Sequence, residues 1–433
     1  MNFDRNKVQN MNKMIVGLVL ATMATTAFAQ SGSNSPYSQY GLGDLVDESV
    51  GFNKGMNGVG LAMRKGYEVN PMNPASYSVI DSVTMIFDAG LSGQITNYNE
   101  NGTKVNAKNG GFDYAVALFR LIRNVGVSFG IRPYSNIGYK YYTVTRLNDA
   151  NTSVSCTYAG NGGIHQLYLG TGIRIIKPLS VGFNIAYLWG EYDRNISTNN
   201  SSINNLSKQY FADISNYKLD IGLQYEQKIA KNDYLTIGAT WTPGHSLKSD
   251  ATRSIISSNA TINKKDTTTQ VIKDALSLPT SIGIGLSYNH ANKFRAGIDF
   301  TMKKWGSLDF PVDDGNTYSL KKGVLKDNVR FNAGAEILPR IMSRNFFERI
   351  RYRFGVGYAT PYYYINGQDG PKDFSASLGF GIPIMNGYNS RSVLNISAQY
   401  VHRAADNLIK ENTFCFSIGL TFNEKWFAKW KVE

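Results

Sequence analysis

The sequence predicts an all-β fold, a 14-stranded antiparallel transmembrane β-barrel with an N-terminal hatch or plug in its lumen. Three observations support this prediction. The 433 residues include 42 glycines and 12% aromatic residues but only 18% charged residues, below the roughly 25% usual in soluble domains. Apolar and polar residues alternate over many segments, which places them on opposite faces of strands. No segment beyond the N-terminal region has 18 consecutive apolar residues, which excludes helical membrane spans.

Residues 1–29 have the pattern of an export signal. Basic residues precede a short apolar run, and Ala27-Phe28-Ala29 forms a small-x-small cleavage site. Residues 11–29 make a complete signal alone, so translation from Met1 and from Met11 both stay open. An N-terminal anchor helix is the alternative interpretation. Export argues against a nucleic-acid partner, although the formal net charge is +13.

Strand alternation recurs along the rest of the chain. In 82–98 the odd-numbered residues from Val83 to Ile95 are mostly apolar, and the even-numbered ones are mostly polar. Segments of this kind lie at 82–98, 110–121, 124–145, 162–176, 179–194, 209–228, 232–242, 279–289, 293–304, 328–338, 349–360, 373–383, 391–403 and 412–422. Fourteen is an even number, as hairpins closing a bacterial outer-membrane barrel require.

The connections alternate between short and long. We expect the tight turns at 121–124, 177–178 and 229–231 in the periplasm, and a single helical turn at 345–349. The longer polar stretches are predicted to be external loops: 146–161, 195–208, 243–278 and 305–327. Aromatic residues near strand ends are interpreted as interfacial girdles: Tyr98, Tyr142, Trp189, Trp241, Tyr288, Trp305 and Tyr400. A soluble sandwich would also alternate, but with shorter strands and a more charged face.

These observations divide the chain into four parts. We predict a signal peptide at 1–29, an N-terminal hatch at 30–81, the barrel at 82–422 and a periplasmic C-terminal tail at 423–433. The hatch is rich in glycine, which permits tight turns, and contains two Asn-Pro pairs, which start turns. The predicted location is the bacterial outer membrane, with its lipid as a partner.

The hatch carries a family resemblance. It contains Ser-Pro-Tyr-Ser-Gln-Tyr-Gly-Leu-Gly-Asp at 35–44 and Asn73-Pro74-Ala75 seven residues before Ser82. This order resembles the FadL-type outer-membrane transporters of long-chain fatty acids and other hydrophobic compounds, in the form found in Bacteroidota. That family has a hatch ending in Asn-Pro-Ala before the first of fourteen strands. The resemblance covers residues 36–422.

The resemblance implies a lateral gate. In the family, an inward kink of the third strand opens a route from the lumen to the bilayer. The third strand here contains Arg132, Pro133 and Tyr134, and proline favours a break or bulge because it cannot donate to a central ladder. We expect the gate at these residues. An ordinary bulge near a strand end is the alternative.

A fatty-acid site needs an apolar pocket and a cation for the carboxylate. Strand parity places seven basic residues on the lumen side: Arg132, Arg174, Lys218, Arg295, Arg330, Arg351 and Arg353. Aspartates and a glutamate share that interior, so we expect most of the cations to form structural ion pairs. Arg132, beside the kink, is the predicted carboxylate-binding residue.

Catalysis has little support. The four histidines have no metal-binding spacing, and the chain has no Gly-x-Ser-x-Gly elbow. Glycine runs such as Gly283-Ile284-Gly285 are interpreted as strand glycines that leave room in the lumen. We therefore expect no catalytic residues, metal or cofactor.

Two functions follow as hypotheses. The first is passive outer-membrane transport of long-chain fatty acids or similar hydrophobic ligands, with an apolar lumen pocket and lateral exit near the kink. The second is a non-transporting, FadL-like subunit that binds other outer-membrane proteins in an assembly or secretion machine. The sequence alone identifies neither the substrate nor a protein partner.

Overall fold

The computed structural model describes residues 33–82, 84–146, 153–199, 205–259, 264–340, 343–384 and 392–424. The predicted export signal at 1–29 and residues 425–433 of the predicted tail lie outside these ranges. The predicted boundaries of the signal, hatch and tail therefore stay predictions.

Fourteen strands form the wall of the molecule in the described residues. They are β1 (Met85–Glu100), β2 (Thr103–Ile122), β3 (Val125–Arg146), β4 (Ser153–Arg174), β5 (Leu179–Asn199), β6 (Asn205–Ala230), β7 (Asp233–Thr242), β8 (Ser281–His290), β9 (Phe294–Lys303), β10 (Asn328–Ile337), β11 (Arg351–Ala359), β12 (Lys372–Ile384), β13 (Ser392–Ala404) and β14 (Lys410–Glu424).

Each strand pairs antiparallel with the one before it. β14 pairs with β1 from Met85↔Glu424 to Asn99↔Lys410, so the sheet closes into a ring. The predicted fold, a 14-stranded antiparallel β-barrel, is confirmed, and all fourteen predicted segments coincide with strands.

Shorter elements lie before or between the barrel strands. Two are one-turn α-helices, α1 (Gly51–Lys54) and α2 (Phe346–Arg349), so the helical turn predicted at 345–349 is confirmed. The others are 3₁₀ helices and short strands: Pro36–Gln39, Pro74–Val79, Asp44–Leu45, His245–Ser246, Ala251–Asn259, Lys264–Ile272, Ser277–Leu278, Phe310–Asp313, Tyr318–Lys321, Tyr364–Ile365 and Gln368–Asp369. No helix within the described residues has the length and apolar character needed to cross a bilayer.

The two faces of the wall differ in the way the alternation predicts. Leu169 and Phe416 point outward and are each 56% exposed, whereas their neighbours Tyr168 and Ser417 point inward and are buried. An apolar outer face on a closed barrel is the surface that acyl chains contact. The protein is therefore an outer-membrane β-barrel.

The strands are much longer on one side of the ring. β2–β6, the tall wall, contain 20 to 26 residues each, and β7–β11, the low wall, contain 9 or 10. About 9–11 residues suffice to cross the bilayer, so the tall wall extends well beyond it. The hairpin formed by Ala251–Asn259 and Lys264–Ile272 pairs with the outer part of β6 and continues this wall.

The long strands correct one prediction. The polar stretches 146–161 and 195–208 were expected to be external loops, but β4, β5 and β6 continue through most of both. Beyond the bilayer both faces of a strand can be polar, so the alternation that marks a strand disappears there. The stretch 305–327 likewise contains a small hairpin, Phe310–Asp313 with Tyr318–Lys321.

A buried core fills the outer end of the barrel. It joins side chains from the N-terminal segment, the tall wall and the connections above the low wall, including Leu42, Ile137, Leu188, Trp305 and Tyr362. Trp305 was expected in an interfacial girdle, but it is fully buried and its ring lies 4.9 Å from that of Tyr362. Its position just after a short strand places it under the connections that fold over the low wall.

Residues 33–81, the N-terminal segment, lie inside the ring. Most of residues 49–81 are buried, including Val50, Phe52, Met56 and Tyr77. One apolar cluster joins this stretch to inward-facing residues of the wall, and a second lies within the stretch itself. The candidate site is built where this segment meets β2 and β3.

Candidate functional site

β2 and β3 lose contact toward their outer ends. They pair from Ile122↔Val125 up to Ala115↔Ile131. Beyond that level β2 stays paired with β1, and β3 stays paired with β4. In the described residues no ladder joins β2 to β3 there. We call this opening, between residues 103–114 of β2 and 132–146 of β3, the seam. Its two edges present backbone groups that a complete sheet would pair.

β3 is irregular where the seam begins. Pro133 pairs with His165 and Ser135 with Ile164, which leaves Tyr134 as an extra residue in the register. Proline has no N–H to donate, which favours such a bulge. The irregularity expected at Pro133 is present. The role of Arg132, Pro133 and Tyr134 as a gate stays a prediction.

The N-terminal segment reaches both edges of the seam. Its acidic stretch, residues 44–48, runs along β3, and the first two of these residues pair antiparallel with that strand. The N–H of Val46 donates to the carbonyl of Tyr134 at 3.0 Å. On the other edge, the side chain of Asn34 donates to the carbonyl of Lys108 in β2 at 3.0 Å. The chain therefore closes part of the opening with its own backbone.

Arg132 is already bound to a carboxylate of the protein. Its guanidinium lies 2.7 Å from the Glu48 carboxylate, donates to the Glu48 carbonyl at 3.1 Å and lies over the ring of Tyr168. Lys218 of β6 contacts the same carboxylate at 3.2 Å and also contacts Asp220. Arg132, the predicted carboxylate-binding residue, is thus already paired with a carboxylate of the protein itself.

The charge state of Glu48 follows from these neighbours. Burial raises the pKa of the Glu48 carboxyl, but the positive charges of Arg132, Lys218 and Lys303 outweigh burial and hold that pKa well below its ordinary value. Glu48 is therefore ionised at neutral pH and complements the cations around it.

All three carboxylates of the acidic stretch have basic partners, on four different strands. The pairs are Asp44–Arg403 at 3.0 Å, Asp47–Arg330 at 3.2 Å, Glu48–Arg132 at 2.7 Å and Glu48–Lys218 at 3.2 Å. Arg403 also contacts Asp373 at 2.8 Å and Glu411 at 3.4 Å. The stretch is held across the lumen mainly by charge.

Two cavities meet at the acidic stretch. The lumen cavity, about 170 Å³, is lined by residues of the low wall such as Thr240 and Thr301. The seam cavity, about 250 Å³, is lined by residues 110–113 of β2 and by Pro133 of β3. Residues 44–47 line both cavities and therefore form the partition between them. Each cavity combines charged with apolar side chains, whereas the sequence led us to expect an apolar pocket.

The predicted hatch motif lies on the periplasmic side of this partition. The Asn73 side chain accepts from the N–H of Ala75 at 3.1 Å and donates to the carbonyls of Leu61 at 2.7 Å and Leu223 at 3.2 Å. Pro74 occupies the first position of a helical turn, where its missing N–H is not needed. The motif thus fixes the segment to itself and to β6.

Residues 49–81, the packed stretch, contact the wall at backbone distance. Asp299 of β9 accepts the N–H groups of Gly60 at 2.6 Å and Leu61 at 2.9 Å. A Cβ atom at Gly238 of β7 would overlap the carbonyl of Leu61, so only glycine fits there. The wall and the packed stretch therefore have no free space between them at this point.

A buried charge cluster holds the packed stretch near its periplasmic end. It centres on Glu336 and Glu68, and its contacts are Glu336–Arg295 at 2.7 Å, Glu336–Arg353 at 2.8 Å, Glu336–Arg351 at 3.4 Å, Glu336–Lys65 at 3.5 Å and Glu68–Arg295 at 2.8 Å. Six of the seven lumen cations named from the sequence have a carboxylate within 4.0 Å, with Arg174 the exception among the described ion pairs. The expectation that most of them form ion pairs is confirmed.

The acidic stretch is what sequence reasoning missed. Asp44, Asp47 and Glu48 were assigned no role. The available signal was three carboxylates in one five-residue stretch of the predicted hatch. Strand parity had placed seven basic residues in the lumen, where these carboxylates could pair with them.

A family model described as BamG matches residues 11–433. No curated protein matches the chain. Solved structures match it as a fold. The Ralstonia pickettii toluene transporter TbuX has a TM-score of 0.60 at 12% identity, over 87% of this chain and 98% of that one.

Two further structures are similar to the same degree. A Pseudomonas aeruginosa FadL homologue has a TM-score of 0.59 at 12% identity, over 88% of this chain and 99% of that one. The Pseudomonas putida toluene transporter TodX has a TM-score of 0.59 at 12% identity, over 89% and 99%. The shared fold is that of FadL-type barrels.

Proposed function

The chain belongs to the BamG family, and from this premise and its FadL-type fold we propose that it is a passive outer-membrane transporter of hydrophobic compounds. The observation that carries the proposal is the partition at residues 44–47, with the lumen cavity on one side and the seam cavity on the other. Residues 33–81 act as the plug. Displacement of the partition joins the cavities and connects the lumen to the bilayer through the seam.

The proposed ligand class is an amphiphile with a carboxylate, such as a long-chain fatty acid. The lumen cavity offers apolar side chains from Leu61, Met72 and Leu278 beside the ammonium group of Lys218. A ligand carboxylate takes the place of Glu48 on Arg132 and Lys218, so that the cations exchange one partner for another. This exchange avoids leaving a buried cation unpaired, which is costly.

The proposed exit is lateral. The acidic stretch joins β3 through a two-residue ladder, and its release leaves the bulge at Pro133 facing the open edge of β2. The structures of the toluene transporters TbuX and TodX have this barrel fold, which agrees with a hydrophobic ligand.

A reversible cross-link tests the route. Leu45 and Ser135 are register partners, and Leu45→Cys with Ser135→Cys, in a Cys156→Ser, Cys415→Ser background, ties the partition to β3 when oxidised. We expect oxidation to abolish uptake of a fluorescent long-chain fatty acid by cells producing the barrel, and reduction to restore it.

The matched control is a cross-link within the wall. Thr143 is the register partner of native Cys156, so Thr143→Cys forms a disulfide between β3 and β4 above the bilayer. This control should leave uptake unchanged. Equal uptake by the oxidised and reduced partition variants contradicts the transport proposal.

A specific observation favours a second candidate function. The BamG match extends over residues 11–433, and the outer end of the barrel is filled by a buried core. A filled barrel suits a non-transporting subunit that binds other outer-membrane proteins in an assembly or secretion machine. Such a subunit acts through its surfaces and needs no open route.

Purification separates the two candidates. The barrel is isolated in mild detergent from cells carrying either the wild-type gene or the oxidised partition variant. Stoichiometric outer-membrane proteins that co-purify with both, with no effect of gene deletion on fatty-acid uptake, favour the subunit. Uptake that depends on the gene, without such partners, favours the transporter.

A further inference from the structure

The outer surface of the low wall and of the neighbouring strands β12–β14 contains a groove. Its volume is about 990 Å³, and almost all of its lining is apolar. Small side chains form its floor, and larger ones border it. The floor residues are Ala296, Ala333, Ala335, Ala376 and Ala398, and the border includes Leu286, Ile298, Phe354, Leu378 and Phe416.

The groove follows the hydrogen-bonding direction across the strands. Leu286, Ile298, Ala333, Val356 and Ala376 are successive register partners on β8–β12. Side chains at such positions are neighbours on one face. Ala333 and Ala376 lie low on either side of Val356 in this row, and Ala296 and Ala335 are register partners in an adjacent row, so the alanines leave a depression between the larger side chains. The opposite wall has large side chains at outward positions, such as Leu167, Leu169 and Ile185, each at least half exposed. The depression is therefore a local feature and not a general property of the outer face.

A basic and aromatic connection lies on the periplasmic side of the groove, below β10 and β11. It joins β10 to β11 and includes α2, where Phe346 and Phe347 are 45% and 67% exposed. The described residues of the connection, 338–340 and 343–350, contain three arginines and one glutamate, which gives them two net positive charges. The floor residue Ala335 lies two residues above the end of β10, or about 7 Å along the strand.

The connection exposes both aromatic and basic side chains. Asn345 caps α2 by accepting the N–H of Phe347 at 3.1 Å, and the guanidinium of Arg349 lies 5.9 Å from the ring centre of Phe346. The side chain of Arg340 is three-quarters exposed, with Glu348 at 3.8 Å. Exposed aromatic rings beside exposed cations are typical of interfacial anchors.

We propose that the groove binds one diacyl phospholipid of the periplasmic leaflet, with its acyl chains on the alanine floor and its phosphate on the basic connection. Charge complementarity selects this occupant: an apolar depression alone suits any chain or helix, but the cations at its periplasmic end suit a phosphate. The site is on the outer wall and is independent of the partition and the seam.

Retention through purification tests the site. The barrel is extracted in mild detergent, and native mass spectrometry counts its bound phospholipid. We expect one phospholipid per barrel, reduced at least tenfold in the variant Ala333→Phe with Ala376→Phe, which fills the floor with apolar rings that the membrane tolerates. Leu169→Phe, on the opposite wall, is the matched control and should retain the lipid.

The headgroup is tested separately. Delipidated barrel is titrated with dioleoylphosphatidylglycerol and with dioleoylglycerol, which share their acyl chains and differ in the phosphate. We expect the phospholipid to bind at least tenfold more tightly, and Arg340→Ala with Arg344→Ala to remove that difference. Arg123→Ala, in another periplasmic turn, should preserve it. Heat-modifiable migration in gels reports folding of every variant.

The outcomes are decisive in either direction. Equal retention by the floor variant, or equal affinity for the two lipids in wild type, overturns the proposal. A second copy of the chain, or another protein, that the floor variant releases also overturns it, because the groove is then a protein interface. Loss of lipid in the floor variant together with loss of headgroup preference in the arginine variant supports it.

Discussion

Residues 44–48 and residues 49–81 are consecutive parts of one segment, yet the wall holds them in different ways. Every residue of the acidic stretch is only partly buried, and ion pairs with a two-residue ladder attach it to the barrel. The packed stretch is mostly buried and meets the wall at backbone distance, as at Gly238. The first attachment is mainly electrostatic, whereas the second adds close backbone contact to the buried charge cluster around Glu336.

The difference shows which part can move. A charge can be exchanged for another charge, so a ligand or a change in pH can release the acidic stretch. Van der Waals contact between backbones has no such substitute, because interiors are close-packed and the wall must separate before the stretch can shift. We therefore expect residues 44–48 to move while residues 49–81 stay in place.

Steric contact is tested first, where we expect the largest effect. Gly238→Val adds methyl groups where the carbonyl of Leu61 lies, so the variant should lose more than about 3 kcal/mol of folding free energy or fail to close its barrel. Denaturant titration of refolded barrel in detergent measures the loss. Ala239→Val, the outward neighbour, is the control and should fold normally. Equal stability of the two variants would show that close backbone contact at Gly238 does not hold the packed stretch.

The buried cluster around Glu336 should give the next largest effect. Glu336→Gln removes the carboxylate that Arg295 and Arg353 share and leaves Arg295 with Glu68, and breaking a buried pair costs about 3–5 kcal/mol. The same titration measures the change. Glu348→Gln, whose carboxylate lies 3.8 Å from the exposed Arg340, should have little effect. A stable Glu336→Gln barrel would mean that steric contact alone holds the packed stretch.

Release of the acidic stretch should change mobility more than stability. Glu48→Gln removes the charge that Arg132 and Lys218 hold, and we expect a loss of about 1–3 kcal/mol. A cysteine at Val46, in a Cys156→Ser, Cys415→Ser background, should react with maleimide about tenfold faster in the Glu48→Gln barrel. A cysteine at Ala75 reports on the packed stretch and should not change its rate.

Acid should reproduce this release in the wild-type protein. The pKa of Glu48 is held well below its ordinary value, so its stabilisation is complete above the unfolded value of about 4.3 and is lost as pH falls through the folded value. The labelling rates of wild type and Glu48→Gln at position 46 should differ at pH 7 and at pH 5 and converge only in stronger acid. Convergence already at pH 5 would contradict the assignment.

The smallest effect is expected at Asp47. Its partner Arg330 is 39% exposed and lies 3.2 Å away, and exposed pairs contribute about 0–1 kcal/mol. Arg330→Met should therefore change the unfolding midpoint little. A loss as large as that of Glu48→Gln would show that the acidic stretch is held as one unit and not mainly through Glu48.

The sequence supports the barrel prediction wherever a strand crosses the bilayer. There one face meets acyl chains and the other the lumen, so alternation as in residues 216–226 or 412–422 marks the strand. The outer parts of β4–β6 were missed because both faces of these strands leave the bilayer and the alternation ends. Trp305 was misplaced because an aromatic residue at a strand end suits a girdle and a covered core equally well.

The site was only partly predictable for a related reason. Parity placed Arg132 in the lumen correctly, and Pro133 marked the bulge. Parity applies to strands, however, and gives no orientation for residues 44–48, whose partners lie on four strands far apart in the chain. The pairing of Glu48 with Arg132 spans 84 residues, a distance over which local pattern carries no information.

The unequal height of the wall gives the molecule a front and a back. The seam lies at the β2–β3 edge of the tall wall, and the alanine groove lies on the low wall and the strands beyond it. A neighbour approaching from the tall side meets a sheet that rises above the membrane, and one approaching from the low side meets short strands with connections folded over their outer ends. The rotation of this barrel about the membrane normal therefore decides which of its two different sides a neighbouring protein contacts.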